Sequence, residues 1–386
     1  MHMTTPETAS LLLTNATLVL PETVSRGTVY VSQGVIRDID SRPSSAPHAV
    51  DCQGDMVLPG LVELHTDNLE KHAVPRPQVR WPMVAAVLAH DAELAAAGIT
   101  TVCNGITVGT VLTDSLRSQI VDDSIRAITW ACTEGLTKAE HYFHLRCEIS
   151  TPNVLEVVKR HRTVEHLRLI SIMDHTPGQR QWINIDKYRA RIQTLEGLDA
   201  RQMEAHLQQR WEYQRRYAAN NEGAILAWSR CRGLPVASHD DTTVEHTIEA
   251  AKKGIRIAEF PTTLAAADMA RRLGMLIVMG APNLILGGSH SGNIATAELA
   301  AHRLVDILSS DYVPTSLLAA ALRLHHDLGF CLPEAIATVT ASPAQAVGLS
   351  DRGSIAIGKR ADLLRVTLKE ETPLIRAVWR AGQRVA

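Results

Sequence analysis

Met56-Val57-Leu58-Pro59-Gly60-Leu61-Val62-Glu63-Leu64-His65-Thr66-Asp67 is the stretch on which the fold turns. Its apolar residues run as far as Leu64, as in a strand buried on both faces, and the chain then emerges as His65-Thr66-Asp67. Seven more short apolar segments follow, at Ile99–Asn104, Phe143–Glu148, Leu167–Met173, Pro235–Ser238, Ile257–Phe260, Met275–Met279 and Ile307–Ser310, with helical runs between them. Strands alternating with helices predict a parallel sheet, and eight such strands, the first at 56–64, close a (β/α)8 barrel. Met83–Ala97, rich in Ala, Val and Leu and stopped by Gly98, predicts one of the outer helices.

Outward from this core the pattern changes. Leu12–Leu20, Gly27–Val31 and Val35–Ile39 read as strands joined by Pro, Ser and Gly turns, and so do Ala361–Thr367 and Ala377–Trp379 at the other end. Two β-rich ends around an α/β centre predict one small β-sandwich domain built from 1–58 and 353–386, beside a barrel spanning 59–352. The interval 176–234 is too long for a simple connection. Its centre, Asp199–Cys231, carries Met203, Leu207 and Trp211 at spacing four, which predicts a long helix or helical hairpin. It suits a lid or the arm of a homo-oligomer, and equally a solvated insertion with one apolar stripe against the barrel.

The chain has 386 residues, enough for two or three domains, and 39 Lys and Arg against 41 Asp and Glu. A net charge of -2 argues against a general nucleic-acid or anionic-membrane binder, so any cationic function must be local. Six cysteines at 52, 103, 132, 147, 231 and 331 include no Cys-x-x-Cys pair, which fits a reduced, intracellular protein. The N-terminus has no Lys or Arg before its short apolar run Leu11–Leu13, and no apolar stretch approaches a membrane span, so the expectation is a soluble, cytoplasmic protein. Histidines number 17 against 15 aromatic residues, which points toward metal or acid–base chemistry without locating it.

The strand ends locate it. In a parallel barrel the site is built at the C-terminal ends of the strands. Read in order, those ends carry His65 and Asp67, Glu148, His175, His239 and Asp311. Imidazole and carboxylate both suit zinc and its first-row neighbours, and a single strand-end histidine is more often a satisfied loop or core residue. Five further strand-end imidazoles and carboxylates beside it shift the balance to one or two divalent ions, zinc foremost. Glu148 could bridge metals or pair with Arg146; Asp311 could act in chemistry or cap the helix beginning near Pro314.

A second set is cationic or polar. Lys71, Arg76 and Arg80 follow the first strand, Arg180 follows His175-Thr176-Pro177-Gly178, and Ser289 and His290 lie in the run Gly287–Gly292. Singly these read as surface charge or a flexible loop; together at a barrel mouth they suit a polyanionic small molecule. Two near-motifs are discounted. Gly353–Lys359 lacks the Ser or Thr of a P-loop, having Arg360 there, and Gly288–Gly292 has His290 where a nucleophile elbow needs Ser.

Leu58–His65 and the return segment Gly358-Lys359-Arg360-Ala361-Asp362-Leu363 resemble the signatures of the amidohydrolase superfamily, whose members join a small β-domain from both termini to a metal-bearing barrel. ELHTDNLEK at 63–71, MDHTPGQRQ at 173–181, ASHDDT at 237–242, EFPTT at 259–263 and GGSHSGN at 287–293 are similar to its diphosphatase branch in the carbon–phosphorus lyase pathway. That resemblance implies cleavage of a 1-methylphosphonate ribose 5-triphosphate to the 5-phosphate and pyrophosphate. It also implies that His65, Asp67, Glu148, His175 and His239 hold metal and that Asp311 is the base. Two departures stand out: the first pair is His-x-Asp where His-x-His is commoner, and His175 and His239 fall on strands four and five where the superfamily usually has five and six. The competing chemistry on the same scaffold is hydrolysis of a C–N bond, as in a deacetylase or deaminase acting on a phosphorylated small molecule.

Overall fold

The computed structural model describes residues 10–76, 79–110, 116–289 and 292–386. The N-terminal segment forms β1 (Leu11–Val19), β2 (Val24–Ser32), β3 (Val35–Asp40), β4 (Val50–Asp51) and β5 (Met56–Pro59). The stretch 56–64, expected as a single strand, is two. Pro59 and Gly60 break it, so β5 stays in the terminal sheet while β6 (Leu61–Thr66) opens the barrel. Glycine is required at the break, because a Cβ on residue 60 would collide with the Thr100 side chain.

The barrel continues through β7 (Ile99–Val108), β8 (Glu140–Glu148), β9 (Leu167–Met173), β10 (Val236–His239), β11 (Ile257–Glu259), β12 (Leu276–Gly280) and β13 (Ile307–Ser309). Each pairs in parallel with the next. Closure comes where β13 returns to β6: Thr66 bridges Asp311, whose N–H donates to the His65 carbonyl at 3.1 Å. Seven of the eight expected segments, and the second half of the first, are therefore barrel strands; His175 follows the fourth and His239 ends the fifth. Inside, Val62, Leu64, Leu169, Ile257, Val278 and Ile307 form an apolar layer near the bottom. A larger cluster fills the space between strands and outer helices, including Met83–Ala96, which ends at Gly98 with φ +84°.

After the barrel, β14 (Leu363–Lys369), β15 (Thr372–Arg380) and β16 (Gln383–Arg384) join the terminal sheet, in the order β16-β15-β14-β5-β1-β2-β3 with β4 beside β1. The layers of the expected sandwich are the two halves of this one sheet. It curls over Leu18, Val31, Ile36, Leu363 and Trp379, bringing the turn at Gly34 against Ala381. The barrel and the terminal sheet are clasped by Glu140, at the start of β8, which accepts hydrogen bonds from Arg352 at 2.7 Å and from Arg360. Residue 360, where a P-loop would place a magnesium-binding hydroxyl, thus serves a structural ion pair.

The long interval holds two helices, Ile185–Glu196 and Ala200–Arg232. Asp199 and Gln202 form a capping box at the start of the second, and Gly233 ends it in the left-handed region. Its stripe has two partners. Met203 and Leu207 pack with Tyr188 from the first helix, while Ala218, Ile225 and Leu226 enter the main core. Asn221 fixes the helix to the barrel rim by donating to the Ile149 and Thr151 carbonyls at 2.8 and 2.9 Å. Among the described residues no helix is long and apolar enough to cross a membrane.

Candidate active site

His65, Asp67, His175, His239 and Asp311 line a single cavity of about 400 Å³ at the C-terminal mouth of the barrel. Two imidazoles are held by one carboxylate. Glu259, the last residue of β11, accepts from His65 Nδ1 and His239 Nδ1, both at 2.7 Å, and the two rings lie 5.7 Å apart and nearly parallel. With Nδ1 bound from below, Nε2 of each ring is the atom left to face the cavity, which is how carboxylates orient metal-ligating histidines. His65 Nε2 is buried without a hydrogen-bond partner. A buried nitrogen in that state is costly unless something else ligates it.

His175 completes the convergence. Its Nδ1 meets Glu148 Oε2 at 2.5 Å and its Nε2 lies 3.7 Å from Asp240 Oδ2, which is itself 3.3 Å from His239 Nε2. Asp240 Oδ2 is buried and has no hydrogen-bond partner. Donor atoms of His175, His239 and Asp240 fall within 4.8 Å of one another, as do those of His65, His239 and Glu259. Three imidazole nitrogens and a carboxylate oxygen are a donor set suited to a divalent first-row ion, so the residues present fit such a group.

Electrostatics follow the same plan. Burial works to raise Glu259, yet His65 and His144 hold it well below the usual carboxylate range. Burial pushes His65 down, whereas at His175 the opposed burial is outweighed by Glu148 and Asp240, which hold it up at about 9. His144, inside β8, is driven to about 3 by burial and bonds Ser171 at 2.6 Å, which in turn donates to Glu259 at 2.7 Å. Below His65, the wholly buried Glu63 accepts from its N–H and from Ser309 and Ser310, tying β6 to β13.

Backbone strain collects at the same level. Asp240, Phe260 and Asp311 follow β10, β11 and β13 with φ of 57°, 56° and 52°. Such conformations cost on the order of 1 kcal/mol or more for non-glycine residues and persist only where neighbours enforce them. Here the next strand does so, through N–H bonds to the Glu259, Val278 and His65 carbonyls at 2.9, 2.9 and 3.1 Å.

Asp311 does not cap a helix; the helix Ser316–Leu328 has Thr315 in that position. Its carboxyl is pushed up to about 7, first by burial and then by the nearby Asp67 charge, with Arg146 opposing. Arg146 does not pair with Glu148, either: it faces Asp67, Nη1 to Oδ2 3.6 Å, and its Nε and Nη1 are buried without hydrogen-bond partners. Glu148 stands behind His175, accepting from its ring, its backbone N–H at 3.0 Å and Ser150 at 2.6 Å, with Arg210 at 3.4 Å.

The expected cationic set is dispersed. Lys71 pairs with Glu93 at 2.8 Å and borders a neighbouring groove; Arg76 is exposed; Arg80 contacts Asp123 at 3.2 Å. Arg180 donates to the His239 carbonyl at 2.9 Å and to buried Asp241 at 2.6 Å, so it braces the end of β10. Ser289 lines the cavity with Asn283 and Asn293, and His290 lies outside the described residues. Asp240, Glu259, Arg146 and Arg191 are site residues that strand-end reading passed over. The signals were a second carboxylate after His239, a carboxylate closing the apolar Ile257-Ala258, and an arginine two residues before Glu148.

A near full-length relative now decides the family: over 377 residues, 97% of this chain and 100% of the relative, the chain is 44% identical to alpha-D-ribose 1-methylphosphonate 5-triphosphate diphosphatase of Escherichia coli. The chain belongs to that diphosphatase family, within the amidohydrolases. An amidohydrolase family model matches residues 230–386 of this diphosphatase-family chain. Solved amidohydrolase structures share the fold. N-isopropylammelide isopropylaminohydrolase from Burkholderia multivorans superposes with a TM-score of 0.65 at 15% identity, covering 97% of both chains. N-acetylglucosamine-6-phosphate deacetylase from Pasteurella multocida gives 0.62 at 12%, covering 97% of this chain and 99% of that one.

Proposed function

We propose that this protein is a metal-dependent diphosphatase that cleaves alpha-D-ribose 1-methylphosphonate 5-triphosphate to the 5-phosphate and pyrophosphate in phosphonate catabolism. The observation that carries the reading is the meeting, in one cavity, of buried atoms without hydrogen-bond partners on His65 and Asp240 with the Arg146 guanidinium, whose Nε and Nη1 make no hydrogen bond and whose ion pair with Asp67 is long, at 3.6 Å. The near full-length similarity to a diphosphatase supports it. A neutral amide would bring no charge to the Arg146 guanidinium beyond that of Asp67 at 3.6 Å, which disfavours C–N hydrolysis here.

His65, His175, His239 and Asp240 would hold the metal, with Asp67 on the rim and Glu148 and Glu259 fixing the imidazoles from behind. Bound there, one or two divalent ions, zinc foremost, would supply a water of pKa near about 7 and draw charge from phosphoryl oxygens. Asp311 takes the proton of the attacking water, being buried, on the cavity wall and close to neutrality. Arg146 donates to the oxygens of the phosphorus under attack, where charge gathers as the bond breaks. Pyrophosphate is a stable anion and departs without a strong acid beside it.

Phosphorus NMR of the ribose triphosphate with metal-loaded protein, run beside a chelated sample, tests this. Pyrophosphate and the 5-phosphate appear only in the first. An unchanged spectrum in both, with metal bound, would remove the diphosphatase reading and leave the barrel as a hydrolase of another bond.

A further inference from the structure

A second chamber, about 820 Å³, lies beside the first, under the helix Ile185–Glu196. Arg146, His175, Gln181 and Arg191 line both, so they form the neck between them. The two sides differ in chemistry. The donor-bearing cavity is lined by Gly288, Ser289 and Asn293, polar groups suited to bare phosphate oxygens, with Asn283 holding the Ile294 carbonyl at 3.2 Å, and has apolar wall of its own at Phe260, Met279 and Leu286. The larger chamber mixes carbon with charge: Val121, Val157, Ile192 and Leu195 share its wall with Lys187 and Arg191, with Arg160, which pairs with Asp122 and Glu156 at 2.9 and 2.8 Å, and with the carboxylate of Glu196. Leu195 is 61% exposed although it is a large apolar residue on that wall.

Resting on the diphosphatase reading, we propose that this larger chamber is the subsite for the ribose and its alkylphosphonate, and that Arg191 clamps the phosphate chain at the neck. Pyrophosphate has no carbon with which to use an apolar wall, whereas a methylphosphonate ester has both a methyl group and a negative charge. The metal-type donors lie in the smaller cavity and at the neck, so the scissile phosphoanhydride sits there and the sugar extends the other way. Arg191 is exposed and makes no hydrogen bond or ion pair with any described residue, and across the neck Arg146 has two nitrogens without hydrogen-bond partners, one of them 3.6 Å from Asp67. The helix carrying Arg191 also sends the Lys187 amine against Gly292, on the loop that walls the smaller cavity. It therefore roofs both spaces, and residue 292, whose φ of +76° favours glycine, leaves the place that the Lys187 amine takes up, which a Cβ would displace.

The test is calorimetric binding of the two products, ribose 1-methylphosphonate 5-phosphate and pyrophosphate, to the whole metal-loaded protein and three variants. Leu195→Glu sets a negative charge on the chamber wall and should weaken the ribose product by about tenfold while moving pyrophosphate by less than about twofold. Leu195→Lys should hold or tighten the ribose product, which a merely structural effect at this exposed site would not do. Arg191→Ala should weaken both. Equal losses for the two products in Leu195→Glu, no loss for either, or no binding of the ribose product to the unaltered protein would each overturn the assignment. The hydrolysis spectrum is read separately, so a protein that binds the ribose product in this pattern yet cleaves no triphosphate would fault the reaction and keep the subsite.

Discussion

The smaller cavity and the larger chamber are made by different means. Of the four proposed metal ligands, His65, His239 and Asp240 are more than nine-tenths buried and His175 is partly so, and each imidazole is held at Nδ1 by a carboxylate from another strand. The chamber is walled on one side by a helical insertion whose Lys187 and Arg191 are exposed and reach in on long stems, while its Arg210 is buried against Glu148. Chemistry at a phosphorus needs donors held to a fraction of an ångström, which strand ends provide. Choosing among phosphorylated ligands needs charge and shape at the right distance, which a helix surface provides at little cost to the barrel.

The sharpest way to break this contrast is to remove a donor. His65→Ala or His239→Ala should abolish metal retention and reduce turnover by roughly 10³-fold or more, read by elemental analysis and phosphorus NMR on the same sample. Retained metal and near-normal rate in either would show that the ion sits elsewhere. Asp311→Asn should keep its metal and lose about 10²- to 10⁴-fold in kcat, the usual weight of a general base. A near-normal rate would remove Asp311 from proton transfer. Glu259→Gln leaves the ligands in place but cannot hold both Nδ1–H groups equally; metal affinity or rate should fall about 10- to 100-fold. Comparable loss from the same change at exposed Glu22, which lines neither cavity, would show that the strand ends are not special.

The smallest expected effect lies outside both cavities, at the clasp between barrel and terminal sheet. Burial opposes ionisation of Glu140, but Tyr142, Arg360 and Arg352 hold its carboxyl down at about 2. A depressed carboxylate contributes stability that is full above its unfolded pKa and lost as pH falls through the folded one, here from about 4.5 toward about 2. Thermal unfolding followed over that range should show a Tm decline that is shallower by a few degrees, roughly, in Glu140→Gln, which has no such charge to lose. Parallel declines in the two proteins would mean that the clasp does not respond to acid.

Much of this was legible without coordinates, because a doubly buried strand is nearly pure apolar sequence and its exit must be polar. That is why eight segments sufficed for the barrel and why His65, His175, His239 and Asp311 could be named from strand ends. The same method failed in three ways. It merged β5 with β6, since Pro59-Gly60 looks like local irregularity until Thr100 and Asp362 are seen to crowd residue 60. It passed over Glu259 and Asp240, because carboxylates beside strands are common and their partners lie up to 194 positions away. It gathered cations by proximity in sequence to the mouth, and so favoured Lys71, which bonds Glu93, over Arg191, which faces both cavities.

What the sequence by itself determined is therefore the periodic part: strand number, the β-rich ends, the long capped helix and the imidazoles that end strands. Hydrophobic burial and helix capping act within a few residues and leave local traces. Only the tertiary structure decided which charges meet, that Glu259 holds two rings at once, that Arg146 turns to Asp67 instead of Glu148, and that the insertion roofs a second chamber. Side-chain pairing across a closed barrel depends on register and on three-dimensional distance, and neither is written in the spacing of residues along the chain.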